Sequence, residues 1–146
     1  MKIKSKEIRK ILIKSCPKLE FIWLTDPIYS FPTMEELETI VHINSVKDMS
    51  FIDKGNACEE FSLHLLSAIR LYRYNEKVKK GKYINWAVGM TGGEQRIESI
   101  WGRSKLISHN LLLSIIDSNK VVIIEPQDDS IENINEDLFS PRLLWM

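Results

Sequence analysis

The chain has 146 residues, 44% of them hydrophobic and 27% charged, a length and balance that fit one globular unit with a buried core. Lys+Arg and Asp+Glu both number 20, so the zero formal charge gives no global attraction to nucleic acid or to an anionic membrane. Met1–Lys14 has no apolar core of signal-peptide length, and no stretch approaches the ~20 apolar residues of a membrane span. The sequence therefore reads as cytoplasmic, with Cys16 and Cys58 as free thiols.

In chain order, Lys4–Lys14 places Ile8, Ile11 and Leu12 at helical spacing behind Ser5 as a candidate cap, and Pro17 stops it. Phe21–Leu24 is a short apolar strand candidate. Thr33-Met34-Glu35-Glu36 has the capping-box pattern, so a helix should run to about Val41. The clearest helix starts at Asn56 as cap, behind Gly55, and should end near Tyr72–Asn75. Its residues Cys58, Phe61, Leu65, Ile69 and Tyr72 recur at intervals of three and four and share one face. Lys77–Lys82 reads as a solvated basic connector rather than a nucleic-acid contact.

Beyond the connector, Tyr83–Met90 is expected as a strand and Thr91-Gly92-Gly93-Glu94 as a turn. Leu106–Ile116 and Val121–Glu125 are expected as strands joined across Asp117-Ser118-Asn119-Lys120, and Pro141–Met146 as an edge strand. Helices first and antiparallel strands later indicate an α+β fold, with residues 1–146 as a single domain and N-terminal helices packed on a C-terminal antiparallel sheet.

Three residues form a candidate constellation. Cys58 falls in the first turn of the long helix, where unpaired N–H groups and the helix dipole favour a thiolate. On the same residues it is also a core position, because it shares the face of Phe61, Leu65 and Ile69. His109 is a polar side chain near the start of an apolar strand and needs a partner. Glu125 is a carboxylate that follows four β-branched residues and precedes Pro126. Thiol, histidine and carboxylate in this order make a nucleophile, base and orienter set. His64 lies off the Cys58 helix face, and His42 falls at a frayed helix end.

The segments Gly55-Asn56-Ala57-Cys58-Glu59-Glu60-Phe61, Ala87-Val88-Gly89, Ser108-His109-Asn110-Leu111 and Ile123-Ile124-Glu125-Pro126-Gln127 resemble the papain-like superfamily and its transglutaminase-like branch. The last two are also similar to the cysteine-protease domain of a fungal agglutinin and to small phage and bacterial proteins with that core. The resemblance implies a papain-like core and a cysteine-dependent enzyme that transfers or hydrolyses an acyl group of a peptide or protein substrate. Cys58 would attack, His109 would act as base and acid, Glu125 would orient it, and Gln127 or Asn110 would support the oxyanion. The upstream oxyanion glutamine of that pattern has no counterpart in Ser50–Lys54, and Asn110-Leu111-Leu112 stands where the transglutaminase-like branch favours an aromatic.

No cofactor is required by this chemistry. Calcium, which the agglutinin resemblance brings into view, would need oxygens such as those of Asp128, Asp129 and Glu132, a cluster that reads first as a polar loop. Zinc through Cys58 and His109 lacks a second cysteine or histidine at ligand spacing. The competing function is a non-catalytic binding or assembly module that keeps the fold. Parity separates the alternatives at one point. An even-length loop after Ile116 would turn Glu125 away from His109, whereas an odd one or a bulge brings it to the same face.

Overall fold

The structure, a computed structural model, describes residues 2–50, 58–78, 84–98, 101–117 and 119–146. In order the elements are β1 (Lys2–Lys4), α1 (Ser5–Ser15), β2 (Phe21–Trp23), β3 (Ile28–Ser30), α2 (Met34–Ile43), α3 (Cys58–Val78), β4 (Val88–Glu98), β5 (Ser104–Ile115), β6 (Val121–Glu125), β7 (Ser130–Asn133) and β8 (Phe139–Trp145).

The helices follow the periodicity of the sequence. α1 buries Ile8 and Leu12, and it ends where the Cys16 N–H donates to the Leu12 carbonyl ahead of Pro17. Ser5 is not its cap: Lys4 occupies that position, and the Ser5 hydroxyl donates instead to the Asp26 carbonyl. At α2 the capping box is complete, with Thr33 accepting from the Glu36 N–H at 3.1 Å and donating its own N–H to Glu36 at 2.8 Å. α3 buries Phe61, Leu65 and Ile69 on the expected face and runs on to Val78, past the expected end. The expected cap Asn56, its neighbour Gly55 and Lys79–Lys82 lie outside the described residues.

Six strands form one sheet in the order β2-β8-β4-β5-β6-β7, and β1 and β3 pair apart from it. Two expectations need correction here. Thr91-Gly92-Gly93-Glu94 is no turn but the middle of β4, which pairs along its length with β5. The glycines serve close approach to β8, because a Cβ on Gly93 would lie 2.2 Å from the Ser140 carbonyl oxygen. The C-terminal tail is also not an edge. β8 lies between β2 and β4, and Met146 is fully buried, its carbonyl accepting from the Tyr29 hydroxyl at 3.0 Å and the Thr25 N–H at 2.9 Å.

The fold class is corrected as well. Strand outweighs helix, the N-terminal half supplies β1, β2 and β3, and β2 runs parallel to β8, so the sheet is mixed. Nor do the helices form one layer. α2 and α3 cover one face, where Leu37, Leu65, Leu66 and Ile69 pack on Val88, Leu112, Val122 and Ile124. On the opposite face Ile8 and Leu12 of α1 pack with Ala87, Leu113, Ile115 and Val121. Both faces of the sheet are thus apolar, which removes the simple in–out alternation from β5 and β6.

The β5–β6 register has the odd parity. Ile115 faces Val121, Leu113 faces Ile123 and Leu112 faces Ile124. The Ile116 N–H donates to the Lys120 carbonyl at 3.0 Å and closes the turn. Asn119 takes a left-handed backbone (φ 58), which an asparagine tolerates well. Continuing that register puts Glu125 opposite Leu111 and on the His109 face.

Candidate functional site

Parity along β5 decides how the candidate residues meet. Adjacent strand residues point to opposite faces, so His109 and Asn110 look out on different sides of the sheet. Asn110 is on the side of Leu112 and α3, and its Nδ2 donates to the Cys58 Sγ at 3.5 Å. The thiol in turn donates to Glu59 Oε2 at 3.3 Å. Cys58 is the first described residue of α3 and is half-buried, and Cys16 is also free, so no disulfide joins them.

On the other side, His109 Nε2 and Glu125 Oε2 are 2.6 Å apart, with the ring N–H donating to the carboxylate. Glu125 Oε1 accepts the backbone N–H of Gln127 at 3.1 Å, a bond fixed by the turn that Pro126 begins. Gln127 therefore supports Glu125 through its main chain. His109 is 8% exposed, and its partner lines a shallow cavity of about 220 Å³ with Gln95, Leu111, Ile123 and Phe139.

The structure thus brings His109 to Glu125 and Cys58 to Asn110. Among the described residues no hydrogen bond joins Cys58 to His109. The oxygens considered for calcium are otherwise engaged in part: Asp128 accepts the Ser130 N–H at 2.8 Å and Asp129 pairs with Lys47 at 3.3 Å. Among the described residues no group of three or more His, Cys, Asp and Glu side chains is set to hold a metal ion.

Sequence reasoning missed the surroundings of Asn110. Its amide lies across Gly92, where a Cβ would sit 2.8 Å from Oδ1. Beyond Gly92, Phe21 and Trp23 of β2 are each 71% exposed. The alternation Phe21-Ile22-Trp23 carried that signal, since two aromatics on one face of a short strand mark an uncovered surface.

No protein-family model matches the sequence, and neither does any curated protein. Ten solved chains match in fold, two of them as follows. One is a chain of the PSL1a–E64 complex, with a TM-score of 0.76 and 15% identity over 99% of this chain and 51% of that one. The other is Polyporus squamosus lectin bound to Neu5Acα2-6Galβ1-4GlcNAc, with a TM-score of 0.74 and 14% identity over 99% and 49%. The fold is shared with part of a lectin chain. This chain spans about half the length of those chains.

That likeness corrects the papain-like and transglutaminase-like assignment, and with it the reading as a cysteine protease or thiol hydrolase with a catalytic triad. The motifs behind that assignment are short, and the setting they share, a helix-start cysteine beside two strands, is present here without a thiol bonded to the imidazole. Among the described residues no helix is long and apolar enough to cross a membrane.

Proposed function

We propose that the chain is a non-catalytic carbohydrate-binding module whose ligand meets the sheet face carrying Asn110 and Cys58. The observation that carries this reading is the partition of the polar residues. The thiol is held by an amide and a carboxylate, while the imidazole is committed to Glu125. A side-chain amide offers both donor and acceptor to sugar hydroxyls, and Asn110 is half-buried on that face. The lectin bound to a sialylated trisaccharide supports the class of ligand. In this reading the His109–Glu125 pair ties the end of β6 to the middle of β5 and leaves the ligand to the other face.

Titration with oligosaccharides chosen from an immobilised-glycan screen tests the proposal. Saturable binding by the wild type is expected, with a loss of about tenfold in Asn110→Ala, the equivalent of one hydrogen bond. Hydrolysis or transfer of a peptide or amide that disappears in Cys58→Ala would overturn the non-catalytic reading.

A further inference from the structure

The zero net charge conceals an asymmetry at the start of the chain. Residues 2–18 hold seven lysines and arginines against Glu7 alone, so the remainder of the chain is net acidic. All seven are exposed. A molecule with its charges separated in this way is oriented by an anionic surface even though they sum to zero. The folding of α1 gathers the basic groups. Ile8 and Leu12 turn inward, and Lys6, Lys10 and Lys14, four residues apart, form a stripe along the outer side. Ile13, beside that stripe, is 54% exposed. Lys2 and Lys4 of β1 lead into the helix, and Lys4 pairs with Ile28, itself 41% exposed. A cavity of about 500 Å³ adjoins the stripe, with Ile3 and Ile11 among its walls and Lys10, Lys14, Ser15 and Asn119 supplying its polar groups.

Acids neutralise little of this face. Glu7 pairs with Lys10 at 3.2 Å, Asp26 accepts from Asn85 at 2.6 Å, Glu20 is taken by Arg142 at 3.1 Å, and Glu136 lies near the buried Cys16. Among the described residues no carboxylate pairs with Lys2, Lys4, Lys6, Lys14 or Lys18. The company of the lysines selects the partner. Nucleic-acid surfaces combine basic groups with aromatics on which bases stack. Residues 2–18 contain no aromatic, and their one arginine, Arg9, donates to the Ile22 carbonyl at 3.0 Å. Ile22 packs on the α1 side of the sheet, so the exposed Phe21 and Trp23 point to the other face. Lysines interleaved with aliphatic side chains instead suit a phospholipid headgroup layer, where the stems lie along apolar surface and the ammonium groups meet phosphates.

We propose that α1 and β1 dock the protein on an anionic phospholipid surface, with Lys6, Lys10 and Lys14 against the phosphates and Ile13 entering the headgroup layer. α1 packs on the face of the sheet opposite Asn110, so the docked molecule turns the Asn110 face to solution. This goes beyond the carbohydrate reading and does not rest on it.

Co-sedimentation of the whole chain with vesicles is the test, using phosphatidylcholine alone and phosphatidylcholine with about one-third phosphatidylserine. The wild type should bind the anionic vesicles and not the neutral ones, and binding should fall as salt is raised. The triple variant Lys6→Gln, Lys10→Gln, Lys14→Gln keeps the helix propensity of α1 and should bind about 100-fold more weakly, about fivefold for each lysine. The same change of charge at Arg96, Arg103 and Lys105, exposed on the β4–β5 hairpin, should weaken binding less than about threefold. Thermal melts of each variant establish that it is folded. Equal binding to both vesicles, binding to neither, or an equal loss in the two triple variants overturns the proposal. Tighter binding to a DNA duplex or to single-stranded RNA than to the anionic vesicles overturns it in favour of nucleic acid. The glycan titration of Asn110→Ala is independent of every one of these outcomes.

Discussion

Replacing Glu125 by alanine isolates the polar pair on the face opposite Asn110. The carboxylate accepts from His109 Nε2 at 2.6 Å and from the Gln127 N–H at 3.1 Å, with side-chain exposures of 10% for His109 and 19% for Glu125. A hydrogen bond to a charged group contributes about 1.5–3 kcal/mol, and an orphaned buried donor costs about 1–3 kcal/mol. The adjoining cavity of about 220 Å³ admits water to the orphaned groups and offsets part of that loss. The net expectation is destabilisation by about 2–3 kcal/mol, or a fall in Tm of roughly 8–12 °C for a chain of this size. Glu125→Gln keeps one acceptor oxygen and should lose about half as much. Urea denaturation and thermal melts read both variants, and glycan titration of the folded protein should match wild type. A Tm within ~1 °C of wild type would refute the structural role assigned to the pair. A normal Tm with lost glycan binding would place the pair in the binding site.

Other consequences are open to direct measurement. Gly93→Ala brings a Cβ to 2.2 Å from the Ser140 carbonyl oxygen, so β8 must move, and the fold should lose about 3 kcal/mol or more. Thr33→Ala removes half of the α2 capping box and should cost about 1 kcal/mol in urea denaturation, with no effect on binding. Burial, reinforced by nearby Glu136, pushes the Cys16 thiol up from 9.0 to about 12. Between those values the unfolded chain loses the proton that the folded chain keeps, so stability falls as pH rises, by up to about 1.4 kcal/mol per unit. Denaturation midpoints at pH 8, 9 and 10 should fall less steeply in Cys16→Ala, and parallel slopes would contradict the assignment.

What could be read in the sequence was local. The Thr33 cap, the Phe61–Leu65–Ile69 stripe of α3 and the strand Val121–Glu125 each rest on residues close together in the chain and stand where the pattern put them, while Tyr72, expected on that stripe, is exposed. Parity also linked Glu125 to His109, because an odd turn needs only local geometry. Long-range approach was not legible. Gly92 and Gly93 read as a turn because the β8 backbone that requires them arrives from residues 139–145. The tail read as an edge because β2, which covers it, comes from the other end of the chain. At the candidate site strand alternation already separated His109 from Asn110, and what was not legible is the side from which α3 arrives. His109 and Asn110 are neighbours in sequence, yet β5 sends them to opposite faces, and the thiol is bonded to the amide.

The account turns on whether the Asn110 and Cys58 face binds a glycan without performing chemistry on it or on a peptide. A single titration of wild type, Asn110→Ala and Cys58→Ala with Neu5Acα2-6Galβ1-4GlcNAc and the best glycan of the screen, run beside a mass-spectrometric assay for cleavage or transfer on a peptide library, addresses both parts. The account predicts saturable glycan binding that weakens about tenfold in Asn110→Ala, with peptides unchanged at every time point. Peptide turnover that requires Cys58, with no glycan bound, would contradict it.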